Sequence, residues 1–297
     1  MRVLIAVDGS TMSLDAVRFA AGLLDPAADL AALFYSPRDL EQRVPHASRS
    51  IIGGAAAAVF DDARACLPPA IAERAEFVQN DAPAAVGILA AATTWQADLV
   101  VVGARGHGGL QSLLLGSVSR AVVHGAHLPV MVARSSPPRG RGPSVLACHH
   151  PASAASVAKA VGHVHWPAGT VGSVIGVAES LLAGPLPAWL EKRVRDPDTA
   201  AVAKAWQQEH DAEVTALEGV LAAFAATLPP AFRGTKPVVA QGNPGDRIVE
   251  RVKADGIDLV VLGRTPTDPL SRWLLGSTSE AVLSQSPASV LIVPVEK

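Results

Sequence analysis

The sequence repeats itself, and that repeat limits the fold more than any other feature. Ala97-Asp98-Leu99-Val100-Val101-Val102-Gly103-Ala104-Arg105 has a counterpart in Ile257-Asp258-Leu259-Val260-Val261-Leu262-Gly263-Arg264. Leu114-Leu115-Gly116-Ser117-Val118-Ser119 returns as Leu274-Leu275-Gly276-Ser277-Thr278-Ser279, and Pro129-Val130-Met131-Val132 as Ser289-Val290-Leu291-Ile292. These matches share one register, so no gap interrupts the block. Earlier, Arg2-Val3-Leu4-Ile5-Ala6 answers to Ser144-Val145-Leu146-Ala147-Cys148. Between the copies lies Ser135-Ser136-Pro137-Pro138-Arg139-Gly140-Arg141-Gly142-Pro143, too dense in Pro and Gly to continue a helix or a central strand. The chain thus divides into a first domain at 1–134, a linker at 135–143 and a second domain at 144–297. Its 297 residues suit two domains of ordinary size.

Within the first copy, short apolar runs alternate with helical stretches. Strands are expected near 2–8, 29–35, 75–79, 98–102 and 129–133, and helices near 11–24, 48–67, 83–95 and 116–126. Leu99-Val100-Val101-Val102 is apolar at every position rather than every second one. Such a strand is covered on both faces, which predicts a parallel sheet with helices on each side. Hydrophobic residues make up 49% of the chain and aromatics only 4%, so Ala, Val and Leu must do most of the packing, as in an α/β fold. In the second copy, Val214, Leu217, Leu221, Phe224 and Leu228 step by three and four, the apolar stripe of an amphipathic helix. That helix packs either on its own sheet or against another subunit.

The residues that carry chemistry lie after the fourth expected strand. Gly103-Ala104-Arg105-Gly106-His107-Gly108-Gly109 is followed at a fixed distance by Gly116-Ser117-Val118-Ser119. Gly106, Gly108 and Gly109 allow positive φ and bring backbone N–H groups close to a ligand. Gly116-Ser117 opens a helix whose first N–H groups lack internal partners. Ser117 and Ser119 add hydroxyls. Together these parts make a nest for an anion, and a phosphate chain fits it. There is no Gly-Lys-Ser/Thr, hence no P-loop, and the loop does not read as a Rossmann fingerprint.

Gly103-x2-Gly106-x9-Gly116-Ser117 resembles the ATP-binding signature of the universal stress protein family. Val7-Asp8-Gly9-Ser10 at the end of the first strand and Leu128-Pro129-Val130-Met131-Val132 after the signature are similar to that family too. The resemblance implies two doubly wound five-stranded parallel sheets in tandem, adenine nucleotide alpha hydrolase-like, each in strand order 3-2-1-4-5. It implies that Asp8, with Gly9 beside it, lies by the nucleoside and helps to hold Mg²⁺. Tyr35, ending the second strand, would meet the adenine edge through its backbone. Gly103, Ala104, Arg105, Gly106, His107, Gly108 and Gly109 would wrap the phosphates of ATP, and Gly116, Ser117, Val118 and Ser119 would complete the cradle. Arg105 and His107 would offset phosphate charge. The position of Asp8 also suits a residue that caps the next helix. The resemblance also implies that the last strands of the two copies pair internally as a pseudo-dimer, and that chains join as a homodimer.

The second copy departs from the signature. Pro266 stands where Gly106 does, with no N–H to offer and no access to positive φ, and Pro269 and Asp268 follow. Its first strand ends Cys148-His149-His150-Pro151, without a carboxylate. A normal ATP site is therefore expected in the first copy alone. His149 and His150, as strand neighbours, point to opposite faces and are poorly placed to share a metal. The cradle contains no Lys and no assigned base, so no catalytic residue is expected and turnover should be slow or absent. A weak ATPase or adenylating enzyme, a nucleotide-free dimerisation scaffold and a flavin- or electron-transfer relative remain as alternatives. A net charge of −2 without a Lys/Arg run disfavours nucleic acid as a partner. No run reaches the roughly 18 to 20 apolar residues that span a bilayer, and the apolar start is too short for a leader. The chain is expected to be cytoplasmic, with Cys66 and Cys148 as small buried residues rather than ligands.

Overall fold

The computed structural model describes residues 1–38, 40, 44, 48–104, 115–134, 140–178, 197–264 and 275–295. The first half runs β1 (Arg2–Ala6), α1 (Thr11–Ala21), β2 (Leu30–Tyr35), α2 (Arg49–Arg64), α3 (Pro69–Ala72), β3 (Glu76–Gln79), α4 (Ala84–Thr94), β4 (Leu99–Gly103), α5 (Ser117–Gly125) and β5 (Val130–Ala133). The second runs β6 (Ser144–His149), α6 (Ala154–His163), β7 (Val171–Ala178), α7 (Pro197–Thr227), β8 (Val238–Gln241), α8 (Pro244–Asp255), β9 (Leu259–Arg264), α9 (Ser277–Gln285) and β10 (Ser289–Pro294).

Each half is a parallel sheet in the order 3-2-1-4-5. The two are joined edge to edge into one ten-stranded sheet, ordered β3-β2-β1-β4-β5-β10-β9-β6-β7-β8. The two expected five-stranded sheets, paired through their last strands, thus form one continuous sheet. The junction is antiparallel, with Val132 opposite Val290, Met131 opposite Leu291 and Val130 opposite Ile292. All the other strand pairs are parallel. Left open, β5 and β10 would each expose an apolar edge with unpaired backbone groups, and pairing them removes both edges.

Alternation along the strands sorts the core into two layers. Val3, Ile5 and Met131 face one side of the sheet, among residues of α1, α2, α6 and α7. Leu4, Val130 and Val132 face the other, among residues of α4, α5, α8 and α9. Both layers contain residues of both halves, so the core runs through the β5–β10 seam. This two-sided burial is what the continuous apolar runs require.

The strand starts are pinned alike in the two halves. Asp98 accepts the N–H of Arg2 at 2.7 Å, and Asp258 accepts that of Ser144 at 2.8 Å. In addition, Arg141 grips Asp258 through two nitrogens at 2.8 and 3.1 Å, which ties the end of the linker to the second half. Leu221 and Phe224 on α7 and Leu228 just past it are buried against their own sheet, and Leu217 packs on the same layer. The helix has 31 residues and starts well before its apolar stripe. Cys148 is buried, and burial pushes its thiol far above the ordinary range; Cys66 is half-buried. No helix among the described residues is long and apolar enough to cross a membrane.

Candidate functional site

Sheet order places the site. Between β1 and β4 the direction of winding reverses, and the crevice at the carboxyl ends of these strands is where open α/β sheets receive ligands. The chain brings three pieces to this crevice in the first half: the turn after β1, the end of β4 and the start of α5.

The first piece is built around Asp8. Its Oδ1 accepts the N–H of Ser10 at 2.9 Å and the hydroxyl of Ser10 at 2.6 Å. Ser10 in turn caps α1, accepting the N–H of Ser13 at 3.2 Å. Gly9 between them has φ of +80°, which a residue with a Cβ adopts at a cost. Asp8 therefore acts one step behind the helix cap, holding the cap residue rather than being it. One carboxylate oxygen is committed to the turn.

The second and third pieces are tied to each other. Ala104 donates its N–H to the carbonyl of Ala133 at 2.8 Å, and Gly116 donates to the carbonyl of Ala104 at 2.8 Å. Ser119 is buried and donates its hydroxyl to the carbonyl of Gly103 at 2.6 Å. The backbone on either side of residues 105–114 is thus drawn together at a neck. Gly116 caps α5 with extended backbone and no side-chain hydrogen bond. The amides of Ser117, Val118 and Ser119 open the helix, where intrahelical acceptors are lacking, and Ser117 is exposed. Of the expected donors, the N–H groups of Ala104 and Gly116 and the hydroxyl hydrogen of Ser119 are engaged within the protein. Arg105, Gly106, His107, Gly108 and Gly109 lie outside the described residues.

Tyr35 ends β2, where its carbonyl accepts the N–H of Asn80 at 3.3 Å. Its ring meets Phe60 edge-on, 6.1 Å between centroids, inside the core. A base edge would have to share that carbonyl with Asn80, just past β3.

The second half keeps the scaffold and changes the contents. Ser279 repeats the tie of Ser119, its hydroxyl 3.3 Å from the carbonyl of Gly263, and Gly276 caps α9 as Gly116 caps α5. By strand register, His150 stands where Asp8 does, since Val3 and Val145 pair alike with Leu99 and Leu259. Its Nδ1 accepts the N–H of Ala152 at 3.3 Å, an imidazole doing the work of the carboxylate. Pro151 replaces Gly9 and cannot adopt positive φ. The helix starts later, at Ala154, and Ser153 is turned inward to 1% exposure. A Cβ added at Gly263 would lie 2.1 Å from the Cβ of Ser153. Ser153 therefore fills the space above the end of β9. Its counterpart Thr11 is exposed. The missing carboxylate is legible in the sequence; Ser153 gives no signal of its own there, although Pro151 stands in the place of Gly9.

His149 stacks edge-on against Phe224, 5.1 Å between centroids. Burial, and secondarily the neighbouring His150, lower its pKa, so the neutral ring is favoured. Among the described residues no three His, Cys, Asp or Glu side chains gather as a metal site. Pro266, Asp268 and Pro269 lie outside the described residues.

Comparison with known proteins gives a consistent picture. A universal stress protein of Mycobacterium tuberculosis is 65% identical over 40 residues, which is 14% of this chain and 14% of that protein. A universal stress protein A homolog of Coxiella burnetii is 50% identical over 52 residues, 18% of this chain and 35% of the relative. Both matches thus span only a minor part of the relatives' length. Among solved structures, a universal stress protein from Archaeoglobus fulgidus superposes with a TM-score of 0.62 at 18% identity, covering 100% of this chain and 97% of that one. A functionally unknown protein from Pseudomonas aeruginosa gives 0.60 at 13% identity, covering 99% and 92%. These two likenesses establish the fold. The family model described as Universal stress protein family matches residues 1–134 and 191–294, most of both halves. Taken with the repeated fold, that match shows that this chain belongs to the universal stress protein family.

Proposed function

We propose that the chain is an ATP-binding regulatory module of the stress response, with one nucleotide site in the first half and none of the same kind in the second. The observation that carries this reading is the start of α5 taken with the glycine spacing before it, since α9 opens on Gly276 in the same way but follows Pro266 in place of Gly106. A nine-residue helix opens on a glycine without a side-chain cap, beside the end of β4, at the switch point of the sheet. Backbone amides at such an end favour an anion through both their unpaired N–H groups and the helix dipole. The spacing of Gly103, Gly106, Gly116 and Ser117 supports ATP as that anion, because it matches the signature of the family.

In this reading the amides of Ser117, Val118 and Ser119 hold phosphate oxygens, and the family resemblance implies that Arg105, Gly106, His107, Gly108 and Gly109 would wrap them. Asp8 faces the nucleoside side; a Mg²⁺ ion would have to share its carboxylate with Ser10. ATP supplies the triphosphate charge that the cradle recognises, and the protein supplies fixed donors. Neither a lysine nor a base oriented towards an attacking water is assigned, so the nucleotide serves as a signal rather than a fuel. The pairing of β5 with β10 links the two halves, so the bound state of one would reach the other through that seam, and two such chains would form the homodimer.

Gly106→Pro tests the reading, since it copies Pro266 into the first half. Titration with ATP and Mg²⁺ should show saturable binding to the native chain and none to the variant. Unchanged binding by Gly106→Pro would contradict the assignment.

A further inference from the structure

The helix that opens the candidate cradle is gripped at its other end by the second half. Nη1 of Arg264 lies 3.1 Å from the carbonyl of Ala126 and 3.5 Å from that of Val123, in the last turn of α5 and its cap. These carbonyls are among those a helix leaves unpaired. Farther up α5, Arg120 pairs with Glu280, and His124 lies 3.6 Å from the same carboxylate. Arg264 is 8% exposed, which is rare for an arginine and marks a side chain fixed by its surroundings.

The position of Arg264 in the repeat is informative. It ends β9 where Ala104 follows β4, directly before the loop that in the first copy carries the glycines. In the second copy this residue points across the seam. A mirror contact exists, but it comes from elsewhere in the repeat: Arg134, just past β5, donates to the carbonyl of Leu283 on α9. Leu283 holds in α9 the place that Val123 holds in α5. Each helix is therefore held at its C-terminal end by an arginine of the opposite half, and of these two arginines it is Arg264 that grips the helix with the candidate cradle.

We infer that Arg264 is a positioning residue for the anion cradle of the first half, acting through α5 from the second half. The inference rests on the ATP reading above. A helix of nine residues is about 13 Å long, too short to absorb a displacement by bending. Fixing its last carbonyls fixes where the amides of Ser117, Val118 and Ser119 stand. The guanidinium also lies at the negative end of the helix dipole, so its charge favours an anion at the other end. The second half is then more than a remnant: it sets the affinity of the site that the first half retains.

The test is titration of the full-length protein with ATP and Mg²⁺, comparing the native chain, Arg264→Ala and Arg134→Ala. Arg264→Ala should weaken binding by roughly 3- to 30-fold, the range for coupled positions that do not touch a ligand. Arg134→Ala disturbs the same seam but holds α9, and should leave affinity within about twofold. Hydrogen exchange at 117–119 without ligand should quicken in Arg264→Ala alone. If Arg264→Ala does not fold, Arg264→Lys carries the same test, with a smaller loss because a cation remains at the helix end. Unchanged affinity in the Arg264 variant, or equal losses in both arginine variants, overturns the inference while leaving the ATP site intact. Failure of the native chain to bind ATP overturns the functional reading itself, and this inference with it.

Discussion

The turns after β1 and β6 begin from the same strand geometry and end in different crevices. In the first half Asp8 holds Ser10, Gly9 takes positive φ, and Thr11 stays at the surface. In the second half His150 holds Ala152, a proline replaces the glycine, and Ser153 sits against Gly263. Both halves preserve the serine that ties the helix start to the preceding strand, Ser119 to Gly103 and Ser279 to Gly263. Duplication thus left the scaffold bonds in place and altered the residues at the strand ends. Gly276 and Ser279, which persist in the second copy, open α9 and tie its start to the end of β9.

The largest effect on this contrast is expected from Gly263→Ala. The added Cβ would collide with Ser153, and overpacking of this kind costs roughly 1 to 3 kcal/mol. Thr11→Ala on the exposed counterpart should change stability by less than about 0.5 kcal/mol. Urea unfolding of the two variants compares the crevices directly, and a neutral Gly263→Ala would mean that Ser153 does not close the second one.

A smaller effect is expected where the halves meet. Arg120 and Glu280 are equivalent positions in the repeat, and they face each other across the seam with opposite charge. A copy of either half facing itself would set like charges together, so the pair favours the heterotypic match. Both side chains are partly exposed, which limits the contribution to roughly 0.5 to 1 kcal/mol. Arg120→Glu and Glu280→Arg should each lower the thermal midpoint, and the double reversal should recover most of the loss. Absence of recovery would remove the argument for charge complementarity.

Much of this fold was legible before any coordinates. Leu99 to Val102 and Leu259 to Leu262 announced buried parallel strands because every position is apolar. The internal repeat, with the family likeness, implied the pairing of β5 with β10. The stripe from Val214 to Leu228 located the packed part of α7, but the helix extends back to Pro197. Residues such as Gln207, Gln208 and Glu209 carry no apolar period, so periodicity could not find that extension. The strand end at Asp8 and the helix start at Gly116-Ser117 were legible as positions in the fold. The roles of Arg264 and Ser153 were not, because each depends on a neighbour far away in sequence: Ala126 in one case, Gly263 in the other. Pro151 was the available clue, since a proline where the first copy has a positive-φ glycine forces the turn to take another path.

The most direct test of the difference between the halves is the stoichiometry of ATP binding to the intact chain in the presence of Mg²⁺, read by calorimetric titration. One site per chain is the predicted result. Two equal sites per chain would contradict the account, because a triphosphate would then be seated where Ser153 closes the crevice and proline replaces the glycine of the loop.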